Sequence, residues 1–208
     1  MILKIGYKLE DIDFIKAEAK YYFEKVFAIQ VEECEWEEAD LKLAVEKNDA
    51  ALDQIYIELE KGKGIITSNS KVGILIALYR FFHEFGVRYV RPGKEHEVYP
   101  SLTEADFFEK EIHIEETASF KHRGVCIEGA DSYDNLKNFI DWLPKIGMNS
   151  FFIQFENPYS FFKRWYEHEF NPYAEKEPFS AEIAQEMSDR IDEEMKLRGI
   201  VHHRVGHG

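Results

Sequence analysis

The stretch GIVHHRVGHG, residues 199–208, sets His202, His203 and His207 within six residues. Imidazoles donate and accept hydrogen bonds, titrate near neutrality and ligate metals. On a helix, the step from His203 to His207 would suit zinc. On a strand, the two lie on one side but roughly 13 Å apart, and His202 faces the other way. The stretch reads as a strand, and no HExxH or cysteine cluster accompanies it, so no metal and no cofactor are expected. Glu128, Gln154 and Glu156 stand at comparable places after two other strand-like runs. With His203 and His207 they form a set of hydrogen-bonding side chains at the ends of strand-like runs. The competing reading of Glu128 is a carboxylate paired with Arg123 or a nearby lysine, since a buried carboxylate needs a partner. The connection 157–173 adds Tyr159, Phe161, Phe162, Trp165, Tyr166, Phe170 and Tyr173. Aromatic faces offer flat apolar surfaces, which makes Tyr159 and Trp165 candidates for a binding platform. The alternative is that these rings pack the connection onto the body.

Composition narrows the partners. The chain has 208 residues, 45% of them hydrophobic, with 17 Phe, enough to bury a core. Its formal net charge of −14 argues against nucleic acid or an anionic membrane as partner. Cys34 and Cys126 stand far apart and in no CxxC, which suggests a reducing compartment. MILKIGYKLED lacks the apolar core of a signal peptide, and no segment approaches the roughly 20 apolar residues of a membrane span. A soluble, cytoplasmic protein is expected. Walker, Gly-x-Gly-x-x-Gly and Gly-x-Ser-x-Gly motifs are absent.

The elements that must position these residues fall into two unlike halves. In residues 1–118, ILKIGY reads as a strand, and 10–27 sets Phe14, Ile15, Tyr22, Phe23 and Val26 on one helical face. LKLAVE, QIYIELE and IITS read as further strands. Ser70 caps a helix over 71–85 that is apolar on every side and ends at Gly86. Such a helix is buried all round, pressed between a sheet and another domain. This half predicts a two-layer α+β sandwich. In residues 119–208, GVCIEGA, NSFFIQFE and GIVHHRV read as strands. A helix capped by Asp131 or Ser132 separates the first two. A helix capped by Ser180, with Ile183, Met187, Ile191 and Met195 at four-residue spacing, precedes the third. Strand–helix–strand order favours parallel pairing. The fold class is therefore α+β followed by α/β: about three strands of a (β/α)8 TIM barrel, which needs eight strands and about 250 residues.

GKGIITSNSKVGILIALYRFFHEFGVRYVRPG resembles the non-catalytic α+β domain that precedes the barrel in hexosaminidases of glycoside hydrolase family 20 and in α-glucuronidases. Gly73, Ala77 and Phe81 match the family's apolar helix. FKHRGVCIEGADSYDNLKNFIDWLPKIGMNSFFIQF resembles the barrel entry, with Arg123-Gly124 opening the first strand and Met148-Asn149 the second. Gly206 and His207 match the end of a Pro-Gly-His pattern on the third strand, with Val205 in place of the proline. Two departures stand out. Asp131 lies near where the family carries a sugar-binding arginine, and FFIQFE replaces a His-Trp-His run.

The resemblance implies the leading portion of a glycoside hydrolase, inactive alone because the family's Asp-Glu pair follows the fourth strand. Glu128, Gln154, Glu156, Tyr159, Trp165, His203 and His207 are read as substrate-binding residues, and the catalytic acid is expected beyond Gly208. The rival reading is a non-enzymatic module that binds carbohydrate or protein. Its open sheet edge would permit self-association.

Overall fold

The computed structural model describes residues 2–10, 13–153, 158–168 and 171–204. Strands β1 (Ile2–Lys8), β2 (Gln30–Glu33), β3 (Leu41–Val45), β4 (Gln54–Glu60), β5 (Lys63–Ser68) and β8 (Ile112–Thr117) form one sheet in the order β2-β1-β3-β5-β4-β8. The pairs β2–β1, β1–β3 and β3–β5 are parallel, and β5–β4 and β4–β8 are antiparallel. Inward residues alternate along the strands: Leu3 and Ile5, Leu41 and Leu43, then Ile55, Ile57 and Leu59. They meet helices α1 (Asp13–Phe27) and α2 (Lys71–Glu84) on one face. This is the two-layer α+β arrangement expected. Strands β2 and β8 and helix α3 (Glu104–Glu109) add to the sequence reading. A small hairpin, β6 (Arg88–Tyr89) with β7 (Glu97–Val98), follows α2.

Ser70 caps α2 as expected, its Oγ accepting from the Gly73 amide at 3.0 Å. Gly86 ends it with φ +95°. The helix is buried along both sides. Ile74, Leu75, Leu78 and Phe82 join the core of the large sheet, while Val72 and Ile76 join a second core. Gly73 is required by packing: a Cβ there would stand 2.0 Å from Ser68 Oγ.

That second core belongs to a three-stranded parallel sheet ordered β11-β10-β9, from β9 (Gly124–Ile127), β10 (Ser150–Ile153) and β11 (Val201–Arg204). Helix α4 (Tyr133–Trp142) joins β9 to β10, capped by Ser132, whose Oγ accepts from the Asn135 amide at 3.0 Å. A 3-10 turn (Leu143–Ile146) and Gly147 at φ +80° close it. Helix α6 (Ala181–Arg198), capped by Ser180, leads into β11. The aromatic connection is not one long loop, because α5 (Pro158–Tyr166) forms within it. Proline at the first helical position, with φ preset and no amide to satisfy, accounts for that start.

Two polar networks, one partly and one largely buried, fasten the two halves of the chain together. Asp53, before β4, accepts from Arg123 Nη2 and Asn149 Nδ2 at 2.7 Å each and from Ser70 Oγ at 2.7 Å. Lys145, its side chain 1% exposed, reaches Glu97 of β7 at 2.6 Å and Asp141 of α4 at 2.5 Å. The same Glu97 accepts from Tyr22 at 2.8 and 2.9 Å.

Candidate functional site

The parallel sheet has one covered face and one open face. Register places Val125, Phe151 and His202 side by side, and then Ile127, Ile153 and Arg204. Phe151 and Ile153 are buried in the second core. His202 Nδ1 lies 2.6 Å from Asp192 Oδ1 of α6, and Arg204 binds the same carboxylate. Burial outweighs Asp192 and lowers the His202 pKa, so this imidazole is a neutral structural group on the helix side.

The alternate residues, Cys126, Phe152 and His203, share the other face. Cys126 is exposed, and Phe152 and His203 are half-buried. No helix among the described residues packs over them. The His203 ring stacks on Phe152 (centroids 5.3 Å, 21°) and meets the edge of His122 (5.1 Å, 81°). Partial desolvation and the Glu128 carboxylate push the Cys126 thiol up, so it stays protonated at neutral pH and is a weak nucleophile. His203 therefore faces open space in a fixed orientation while His202 does not, as strand alternation predicts. His122 was not singled out by sequence. It precedes β9, and only the register of β11 against β10 and β9 reveals that it reaches His203.

Glu128 follows β9 and is exposed. It is not paired with Arg123: that guanidinium is committed to Asp53, to the Gly147 carbonyl at 2.8 Å and to the Phe120 carbonyl at 2.8 Å. No ion pair to Glu128 occurs among the described residues. Asp131 caps locally, accepting from the Ser132 amide and Asn135 Nδ2 at 2.7 Å each. The two sequence pairs at the strand starts meet directly. Asn149 Oδ1 accepts from the Arg123 amide at 2.9 Å, and the Arg123 carbonyl accepts from the Asn149 amide at 2.9 Å. Gly124 lies so close to β10 that a Cβ would stand 2.2 Å from the Ser150 carbonyl oxygen.

On α5, Tyr166 Oη accepts from the Tyr133 amide at 3.1 Å, which ties the helix to the start of α4. Tyr159 and Tyr166 both stack on Phe179 (6.1 Å and 17°; 5.1 Å and 8°), and Phe161 and Phe162 are buried. Most of these rings pack, Tyr159 among them. Trp165 is 45% exposed, and nothing among the described residues links it to His203 or Glu128. Gln154, Glu156 and His207 lie outside the described residues.

No protein-family model matches the sequence, and no curated protein matches it. Solved structures do. The family 20 β-N-acetylhexosaminidase of Streptomyces coelicolor aligns over 97% of this chain and 41% of its own, at TM-score 0.63 and 10% identity. The fold is hexosaminidase-like. A β-N-acetylhexosaminidase of Bacteroides fragilis aligns over 97% and 40%, at TM-score 0.59 and 15% identity. A glycoside hydrolase of family 138 targeting pectin rhamnogalacturonan II aligns over 99% and 24%, at TM-score 0.63 and 10% identity. The chain thus spans less than half the length of the hexosaminidases it resembles. The hexosaminidase-like architecture also occurs with a different activity, so the fold does not by itself select a sugar.

Proposed function

We propose that this chain is the leading portion of a glycoside hydrolase: residues 1–118 a non-catalytic α+β domain, and residues 119–208 the first three strands of a (β/α)8 barrel. The observation that carries this reading is the open face of β9–β10–β11. Three parallel strands in chain order, helices on one side and His203, Phe152 and Cys126 with no helix among the described residues over them on the other, fit the inside of an unfinished barrel, where active sites gather at the C-terminal strand ends. In this reading Glu128 and His203, with Gln154, Glu156 and His207, bind sugar hydroxyls, and Trp165 is the better aromatic platform because its ring is exposed. Tyr159 is the lesser candidate, its ring stacked on Phe179. The cleaving carboxylates come from strands outside these three, and the free thiols of Cys34 and Cys126 fit a cytoplasmic setting.

The test has two arms. The 208-residue protein, assayed on chromogenic β-glycosides, is expected to show no turnover; robust hydrolysis would defeat the reading. Titrated with N-acetylglucosamine and followed by amide shifts, it is expected to move residues around Phe152 and His203, and His203→Ala is expected to abolish the change. A protein that ignores every neutral and acidic monosaccharide tried, yet binds another polypeptide through the free edges of β9 and β11, would favour the non-enzymatic module instead.

A further inference from the structure

The outer face of the six-stranded sheet, opposite α1 and α2, carries a charge pattern set by register. Across β3, β5 and β4 one row reads Lys42, Ile65, Glu58. The next row, from β1 to β8, reads Lys8, Ala44, Thr67, Tyr56, Glu115. In both rows β5 stands at the centre. A lysine lies one or two strands to one side, and a glutamate lies the same number of strands to the other. Lys8, Glu58 and Glu115 are exposed, and Lys42 and Ile65 are half-buried. The lysines are held in place, with Lys8 Nζ 4.2 Å and Lys42 Nζ 5.4 Å from the Trp36 ring centroid.

We propose that this face is a homodimer interface, with a second copy packed face to face about a two-fold axis parallel to β5. Such an axis reverses strand order and keeps the rows. It sets Lys42 opposite Glu58 of the other copy, Lys8 opposite Glu115, and Ile65 opposite Ile65, in a self-complementary contact. Sheets packed face to face stand about 10 Å apart, within reach of lysine and glutamate from both sides; the 3-10 turn Trp36–Glu38, which covers Gly6 on the outer face of β1, would lie over β8 of the second copy and widen the gap there. The other in-plane axis, across the strands, would set Lys42 against Lys42 and Glu58 against Glu58. A polar hollow of about 190 Å³, lined by Glu46, Asn48, Tyr56 and Glu115 among others, opens on the β4–β8 side, where Lys8 of the second copy would arrive. The row at the β4–β5 turn reads Lys4, Asp40, Lys63, Glu60 and opposes the contact, with Lys63 facing Lys63 and Asp40 facing Glu60, so the interface is confined to the two rows toward the other end of the sheet.

The pattern yields an unusually sharp test by sedimentation equilibrium at about 0.15 M salt, where the screening length of about 8 Å quenches the long-range repulsion of two acidic chains. The 208-residue protein is expected to dimerise between about 1 μM and about 1 mM. Lys42→Glu and Glu58→Lys each set like charges face to face and are expected to weaken self-association at least about tenfold. Mixed in equal amounts, the two variants are expected to form a one-to-one heterodimer, which also shows that both are folded. A protein monomeric throughout, a dimer indifferent to the reversals, or variants that fail to associate when mixed would each overturn the proposal.

Discussion

At the scale of single residues, Lys145 is the buried centre of one of the two networks. Its ammonium is enclosed by Glu97 and Asp141, with Tyr22, Tyr79 and Tyr89 ring centroids 5.6–5.8 Å away. Burial alone would discharge it, but Asp141 and Glu97 raise its pKa. Among the described residues, Lys145→Met removes the cation, leaving Glu97 with the Tyr22 hydroxyl but no counter-charge and Asp141 with only Arg198 at 3.4 Å, and breaking such a buried pair costs about 3–5 kcal/mol. Chemical denaturation should report that loss as a lower midpoint. Arg123 shows why such partners escape a reading of sequence. Its carboxylate partner, Asp53, lies 70 positions away, and no local spacing marks the pair. The natural local guess, Glu128, is wrong because Arg123 precedes β9 and faces the large sheet, whereas Glu128 follows it. By contrast, the opposite facings of His202 and His203 were legible, since strand alternation fixes them once a strand is assigned.

At the scale of elements, helices were easier to read than edge strands. Ser70, Ser132 and Ser180 each cap where a hydroxyl precedes an apolar period, so the signal and the physics coincide. QVEE, now β2, and HIEET in β8 escaped because edge strands need little apolar surface, and their charged residues discourage further pairing. Helix α5 escaped for a different reason: seven aromatic residues drew attention to the connection as a surface, while the start signal was Pro158 alone. Gly73 offers an element-scale prediction. Alanine is ordinarily better in a helix than glycine by about 1 kcal/mol. Here its Cβ would collide with Ser68 Oγ, which is itself pinned by a 2.6 Å bond to the Gln54 carbonyl. Gly73→Ala should therefore destabilise, by about 1–3 kcal/mol of overpacking, reversing the propensity rule; a thermal melt of the variant checks the sign.

At the scale of the whole molecule, the two halves are expected to unfold together, because both fastening networks cross between them. The acid limb of stability tests this. Burial would raise Asp53 and Asp141. Hydrogen bonds from Arg123, Ser70 and Asn149 outweigh it at Asp53, and Lys145 and Arg198 outweigh it at Asp141, so both carboxyls titrate below their ordinary values. A carboxyl depressed in the folded state contributes stability that is present above its unfolded pKa of about 3.9 and is lost as pH falls through the folded one. Stability should thus fall steeply below about pH 4 in one transition seen alike by fluorescence and circular dichroism. Asp53→Asn should flatten that limb. Two separate transitions would mean that the networks do not couple the halves.

The double-sided burial of α2 bears on how such chains can be recombined. Severing the polypeptide between β8 and β9 would expose Val72 and Ile76 to water and strand Asp53 without its guanidinium. The leading half is therefore a poor exchangeable cassette. A grafted version would survive only if its new neighbour brought an apolar lining for that helix and a cation for that carboxylate.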